Sequence, residues 1–225
     1  MHAPVSYKIK KQNLWLSAER CIYWEEEKAL ILSDLHFGKT GHFRKSGIAV
    51  PQSVYKEDMQ RLVGQIQHFQ PKQILVVGDF FHSKANQELE FFKKWRADFS
   101  DIVIHLIKGN HDILQNDWYA ACDIALEEEK KVVNNFCFIH DITTIDGPKY
   151  NKEQFKAVNY FFSGHIHPGI RVNGAGKQSL CFPCFYFGKK YAVLPAFSRF
   201  TGIAIISPEA HESVFAIVAN KIVQL

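Results

Sequence analysis

Five short polar clusters hold the side chains best suited to chemistry, and each directly follows an apolar run. Ser33-Asp34-Leu35-His36-Phe37-Gly38 comes after Ile31-Leu32, and Gly78-Asp79-Phe80-Phe81-His82 after Val76-Val77. Lys108-Gly109-Asn110-His111-Asp112 comes after Leu106-Ile107, His140-Asp141 after Phe138-Ile139, and Ser163-Gly164-His165-Ile166-His167-Pro168 after Tyr160-Phe161-Phe162. Carboxylate, amide carbonyl and imidazole, with no thiolate among them, are ligands of Mn, Fe, Zn or Mg. Crowded together without a cation they would be costly, because desolvated like charges repel and buried polar atoms go unpaired. Two divalent ions remove both costs. Asp34 and His36 stand two apart, so an extended segment would point both to one side and let them chelate one ion; His165 and His167 share the spacing and the expectation. The glycine before each of Asp79, Asn110 and His165 allows a sharp turn and close backbone approach.

These clusters meet only if the elements before them end at one place. In open α/β sheets, ligands gather beyond the carboxyl ends of the strands. Leu14, Leu16, Ile22 and Trp24 fall at even positions, as in half-buried strands, and Glu25-Glu26-Glu27-Lys28 reads as a turn before the strand Ala29–Leu32. After Pro51, the positions Tyr55, Met59, Leu62, Val63, Ile66 and Phe69 recur at helical spacing. Ile74-Leu75-Val76-Val77 is an unbroken apolar run of the kind buried on both sheet faces. Asn86 is placed to cap a second helix bearing Leu89, Phe92 and Trp95. Ile102–Ile107 and Phe136–Ile139 read as strands, and the chain from about Gln178 to Leu225 reads almost wholly as strands. The order implies a layered α/β domain with sheet packed on sheet between helices.

Composition narrows the class without choosing the reaction. A chain of 225 residues, 47% hydrophobic and 22% charged, is neither disordered nor fibrous and can bury a core unaided. A net charge of +4 permits a polyanionic partner but is too weak for tight non-specific binding to a long duplex. The five cysteines are odd in number and scattered, which suits a reducing compartment, and no run approaches a membrane span. The residues Met1–Lys8 carry no apolar leader, so a cytoplasmic location away from membranes is expected.

The ordered set Asp-x-His, Gly-Asp, Gly-Asn-His-Asp and Gly-His-x-His, from about residue 30 to 168, resembles the signature of the calcineurin-like metallophosphoesterases. Asp34–Lys39, His42–Pro51, Gly78–Ser83 and the tail Leu180–Gly202 are similar, more narrowly, to the ligase-associated DNA damage response phosphoesterases. The resemblance implies a four-layer αββα sandwich, α/β (α+β) in class, its metal site at the C-terminal ends of the strands. One domain over residues 1–225 is expected. By the same resemblance Asp34, His36 and His167 hold one metal, Asn110, His140 and His165 hold a second, and Asp79 bridges the two. His111 is then the catalytic histidine, with Asp112 beside it. The implied cofactors are two divalent metal ions, manganese foremost, with iron or zinc also suited to the ligands. The implied substrate is a phosphoester in DNA or at DNA ends, in repair linked to a DNA ligase and a helicase. The chain departs from the common pattern at His82, where many relatives have a second Asp, and at Asp141, where Gly is usual.

Around these ligands the residues leave alternatives open. Lys39, Arg44 and Lys45 follow the first cluster directly, and with Phe43 between them they suit phosphate contacts with base stacking; the same letters also read as a basic surface loop. His82 is a further substrate contact or a neighbour of the ligands. His2, His68, His105 and His211 read as structural or solvated, as does the turn-like run Glu127-Glu128-Glu129-Lys130-Lys131. Cys181-Phe182-Pro183-Cys184 has no partner pair for a four-ligand zinc site and reads as strand cysteines. A phosphodiesterase or phosphomonoesterase acting on small nucleotides, and a non-catalytic scaffold of the same fold, remain the other readings.

Overall fold

The computed structural model describes residues 2–45, 47, 49–51, 53–82, 87–145, 152–174 and 178–225. The chain opens with an antiparallel meander of β1 (Val5–Ile9), β2 (Gln12–Ser17), β3 (Cys21–Trp24) and β4 (Ala29–Ser33). Leu14 pairs with Trp24 and Leu16 with Ile22, so the even-position pattern becomes one buried face of β2 and β3. Pairing then turns parallel. After α1 (Lys39–Lys45) and α2 (Ser53–Phe69), β5 (Gln73–Val77) adds beside β4; α3 (Gln87–Asp98) leads to β6 (Val103–Ile107), and α4 (Asn116–Ala121) to β7 (Ile124–Glu127).

The unbroken apolar runs reflect burial on both faces of this seven-stranded sheet. Leu30, Leu32, Ile74, Val76, Ile104 and Leu106 pack on Met59, Leu62 and Ile66 of α2 and on Leu89 and Phe92 of α3. Ala29, Ile31, Leu75, Val77 and Ile107 face the other way, onto a second sheet. That sheet is built from β8 (Lys130–Val133), β9 (Phe136–Ile139), β10 (Tyr160–Ser163), β11 (Pro168–Asn173), β12 (Ser179–Phe187), β13 (Tyr191–Val193), β14 (Ala204–Ile205), β15 (Ser213–Val218) and β16 (Lys221–Gln224). Its order is β14-β11-β12-β13-β10-β9-β8, with β15 and β16 added beside β12. Aromatic rings fill the seam between the sheets: Trp24 meets Phe136 at 5.0 Å, and Phe138 stacks on Phe162 at 5.3 Å.

The fold is the expected mixed α/β sandwich, with a thin fourth layer. Among the described residues, Ile142–Thr144 and Lys152–Phe155 cover the outer face of β9 and β10 as 3-10 turns. The structure adds local detail at three segments. Lys39–Lys45 is a helix, not a loop. Glu128-Glu129 turn as expected, but Glu127 ends β7 of the first sheet and Lys130-Lys131 begin β8 of the second. The helix α4 carries too short a pattern to have been anticipated. Asn86 lies outside the described residues. Cys181 is exposed and Cys184 buried, as a spacing of three on a strand requires, so they share no site. No helix of the described residues is long and apolar enough to cross a membrane.

Candidate metal centre

The register of the two sheets delivers the five clusters to one rim. Ser33 pairs with Val77 and Val77 with Ile107, so β4, β5 and β6 end level; Ile139 pairs with Ser163, so β9 and β10 do as well. Past the sheet the first two loops stay hydrogen-bonded: the His36 N–H donates to the Asp79 carbonyl at 2.9 Å, and the Phe37 N–H to that of Phe80 at 2.9 Å. The sheets are joined across the rim where the His165 N–H donates to Asp34 Oδ2 at 3.0 Å. The His111 N–H donates to Asp79 Oδ1 at 2.9 Å, bringing in the third loop.

Two groups of converging ligand atoms result. Asp34, His36 and His167 form one, and Asp79, His140 and His165 the other, with the ligand atoms of each group within 4.8 Å of one another. Asn110 joins the second group, its Oδ1 2.9 Å from His140 Nε2, which is itself 3.0 Å from His165 Nδ1. Asp34 has a contact in both groups: Oδ2 lies 3.6 Å from His167 Nε2, and Oδ1 lies 3.8 Å from His140 Nδ1. Asp79 Oδ2 lies 3.8 Å from His140 Nε2. The equal spacing of Asp34/His36 and His165/His167 does not have equal consequences, for His165 and His167 fall in different groups. His165 and His167 have φ of 63° and 52°, so their segment is not extended; Asp34 and His36, at 52° and 50°, are not extended either, so their meeting does not follow from a two-residue strand spacing.

Left-handed backbone recurs at these ligands. Asp34, His36 and Asp79 also have positive φ, at 52°, 50° and 34°. Non-glycine residues held there cost roughly 1–3 kcal/mol each and cluster where function demands the geometry. The glycines supply close approach: a Cβ on Gly109 would stand 2.2 Å from Asp79 Oδ1, and one on Gly78 would stand 1.7 Å from His140 Nδ1.

Four buried polar atoms of the two groups have no hydrogen-bond partner: Asp34 Oδ1, His36 Nε2, His140 Nδ1 and His167 Nε2. Leaving such atoms unpaired costs about 1–3 kcal/mol apiece. Burial holds the His36 imidazole down at about 2, and the charges of Lys39, His167, His82 and His111 act the same way. Burial also lowers His140, against the pull of Asp34 and Asp79. Neutral imidazoles with unused lone pairs beside two carboxylates are what divalent cations require. The donor set therefore fits two divalent metals.

The neighbouring residues divide into two kinds. His82 Nδ1 lies 3.2 Å from His36 Nδ1, and its ring lies 4.3 Å from that of His111. Lys39 is half-buried at the start of α1; burial lowers its ammonium, while the charges of Asp79 and Asp34 support it. Asp112 is turned inward. Its carboxylate accepts from the N–H groups of Phe81 at 2.8 Å, Gly109 at 2.9 Å and Phe80 at 3.3 Å. Burial pushes that carboxyl up to about 7, against these amide donors. Arg44 donates to Glu88 Oε1 at 3.1 Å, and Glu88 also accepts from Thr40 Oγ1 and the Gly38 N–H. Its guanidinium thus braces α1 against α3. The Lys45 side chain lies outside the described residues.

Two residues without any motif complete the support. Arg20 Nη1 donates to the carbonyls of Ala196 and Ser198, and Arg61 Nη2 to that of Phe197. They hold the segment whose Phe197 and Ser198 N–H groups bond Ser33 and Asp34, directly behind the first ligand. An arginine bonding to carbonyls leaves no spacing signal in a sequence.

The profile of the calcineurin-like phosphoesterase family matches residues 28–167. Among solved structures, a nuclease named MPE from Pseudomonas putida superposes with a TM-score of 0.79 at 27% identity, covering 99% of this chain and 100% of that one. The Vps29 protein of Entamoeba histolytica, complexed with zinc, aligns at TM-score 0.38 and 12% identity over 88% of this chain and 96% of its own. No curated protein sequence matches the chain significantly.

Proposed function

The chain belongs to the calcineurin-like phosphoesterase family, and we propose that it is a phosphodiesterase that uses two divalent metal ions to hydrolyse DNA at strand ends during repair. The observation that carries the reading is the meeting of Asp34, His36 and His167 with Asp79, Asn110, His140 and His165, several of their buried lone pairs unused. Asp34, His36 and His167 would hold the first ion, Asn110, His140 and His165 the second, and Asp79 would serve the pair. Such a pair supplies Lewis-acid charge and a water nucleophilic at neutral pH. A nuclease from Pseudomonas putida shares the fold over the whole chain, which favours a nucleic-acid diester over a small phosphomonoester.

The protein's own groups do the rest. His111, beside His36 and His82, donates a proton to the departing ester oxygen. Asp112 touches no substrate; it positions the loops bearing Asp79 and His111 by accepting their amides. Lys39 adds positive charge near Asp34 and Asp79, where the phosphoryl group must lie. His82 keeps His36 and His111 in place from one side. On the sequence resemblance, the protein works with a DNA ligase and a helicase, and manganese is its working metal.

Metal-stripped protein reloaded with Mn, Fe or Zn and offered a mono-aryl phosphate, a bis-aryl phosphate and end-blocked DNA tests this. The expected result is cleavage of the bis-aryl phosphate and of DNA with free ends, fastest with Mn. Hydrolysis of the monoester alone, or of nothing, contradicts it.

A further inference from the structure

A cavity of about 330 Å³ opens beside the second ligand group, lined there by Gly109, Asn110, His140 and His165. His140 is 8% exposed, with Nδ1 unpartnered. The far wall is acidic. Glu128 and Glu129, from the turn between β7 and β8, face it with Asp141, and Lys108 is paired to Glu128 at 3.2 Å. Around the first group, His82 and His111 lie with ring centroids 5.2 and 5.6 Å from His36, and the Lys39 ammonium interacts with Asp34 and Asp79. The three carboxylates thus lie on the second-group side of the centre.

We propose that this cavity seats the ester substituent retained on the phosphorus, that this substituent is an uncharged nucleoside, and that the carboxylates of Glu128, Glu129 and Asp141 exclude a further phosphate. The inference rests on the phosphodiesterase reading above. His111 stands on the first-group side, so the departing oxygen leaves there and the retained substituent lies towards the cavity. Hydroxyls and ring or exocyclic N–H groups of a nucleoside can donate to carboxylates. A phosphate in the same place meets like charge at short range, which costs binding most at low ionic strength. An enzyme so built selects the terminal nucleotide of a strand over an internal one.

Two substrates with the same leaving group separate the possibilities: thymidine 5′-(p-nitrophenyl phosphate), and the same ester with a phosphate on the 3′ oxygen. Both release p-nitrophenol, so only the retained side differs. The expected kcat/KM is about tenfold higher for the first at low ionic strength, and the gap narrows as salt is added. In the Glu128→Gln/Glu129→Gln protein, altered only at an exposed turn, the ratio falls to within about twofold. Equal kcat/KM for the two esters in the unaltered protein, or an undiminished ratio in the variant, overturns the inference while leaving the phosphodiesterase reading intact. If bis(p-nitrophenyl) phosphate is not hydrolysed by the metal-loaded protein, that reading fails and the inference with it.

Discussion

At the residue scale, the division of labour around the centre separates groups that face substrate from groups that hold them. His111 lies against His36 and His82 in ring contact while its N–H is tied to Asp79. Replacing its imidazole by alanine removes a proton donor but no ligand. His111→Ala is expected to lower turnover of a bis-aryl phosphate by about 10²–10⁴-fold with the metal content unchanged by elemental analysis. Loss of the metals together with activity would make it structural. Asp112 is different. Asparagine is nearly isosteric there, yet its amide turns one acceptor into a donor facing backbone N–H groups. Asp112→Asn should therefore cost about 1–3 kcal/mol in denaturant unfolding, and stability equal to the unaltered protein would show that the three amides do not depend on the carboxylate.

At the element scale, support for the first ligand comes from segments remote in sequence. Arg61 of α2 joins Phe197, Asp58 and the carbonyl of Glu19, and its guanidinium lies 4.2 Å over the Phe197 ring. Removing it leaves the buried Asp58 carboxylate without its cation. Arg61→Ala is expected to lose about 3–5 kcal/mol by denaturant unfolding, and Arg61→Lys to recover only part, because one ammonium cannot reproduce a planar fork with several donors. Full rescue by lysine would refute the forked geometry. Element by element, the sequence was legible where period and chemistry agreed. The even positions Leu14, Leu16, Ile22 and Trp24 read as strands because they share one buried face of β2 and β3. The ligand clusters stood out because acids and imidazoles rarely follow strand after strand. The short strands β7 and β8 did not, for each is only four residues long and carries Glu or Lys beside the Glu128-Glu129 turn. Nor did α1, whose glycine and basic residues read equally as loop, or the parting of His165 from His167, since the same spacing and the same positive φ keep Asp34 and His36 together.

At the scale of the whole molecule, two sheets packed face to face form the frame, and the rim bearing the ligand groups lies where five of their strands stop together. We read residues 1–225 as one domain, since the ladder Ser33–Val77–Ile107 and the ladder Ile139–Ser163 must stay aligned for the Asp34–His165 bond to form. The strain at Asp34, His36, Asp79, His165 and His167 is sustained by this frame and is relieved in the unfolded chain. Ions that bind the folded groups and not the unfolded chain must then stabilise it. The most direct measurement is metal stoichiometry by elemental analysis of protein stripped with chelator, reloaded with manganese and desalted. Two ions per chain are expected for the unaltered protein and about one for His140→Ala. A content well below one ion in the unaltered protein, or two ions retained after His140→Ala, would contradict the account.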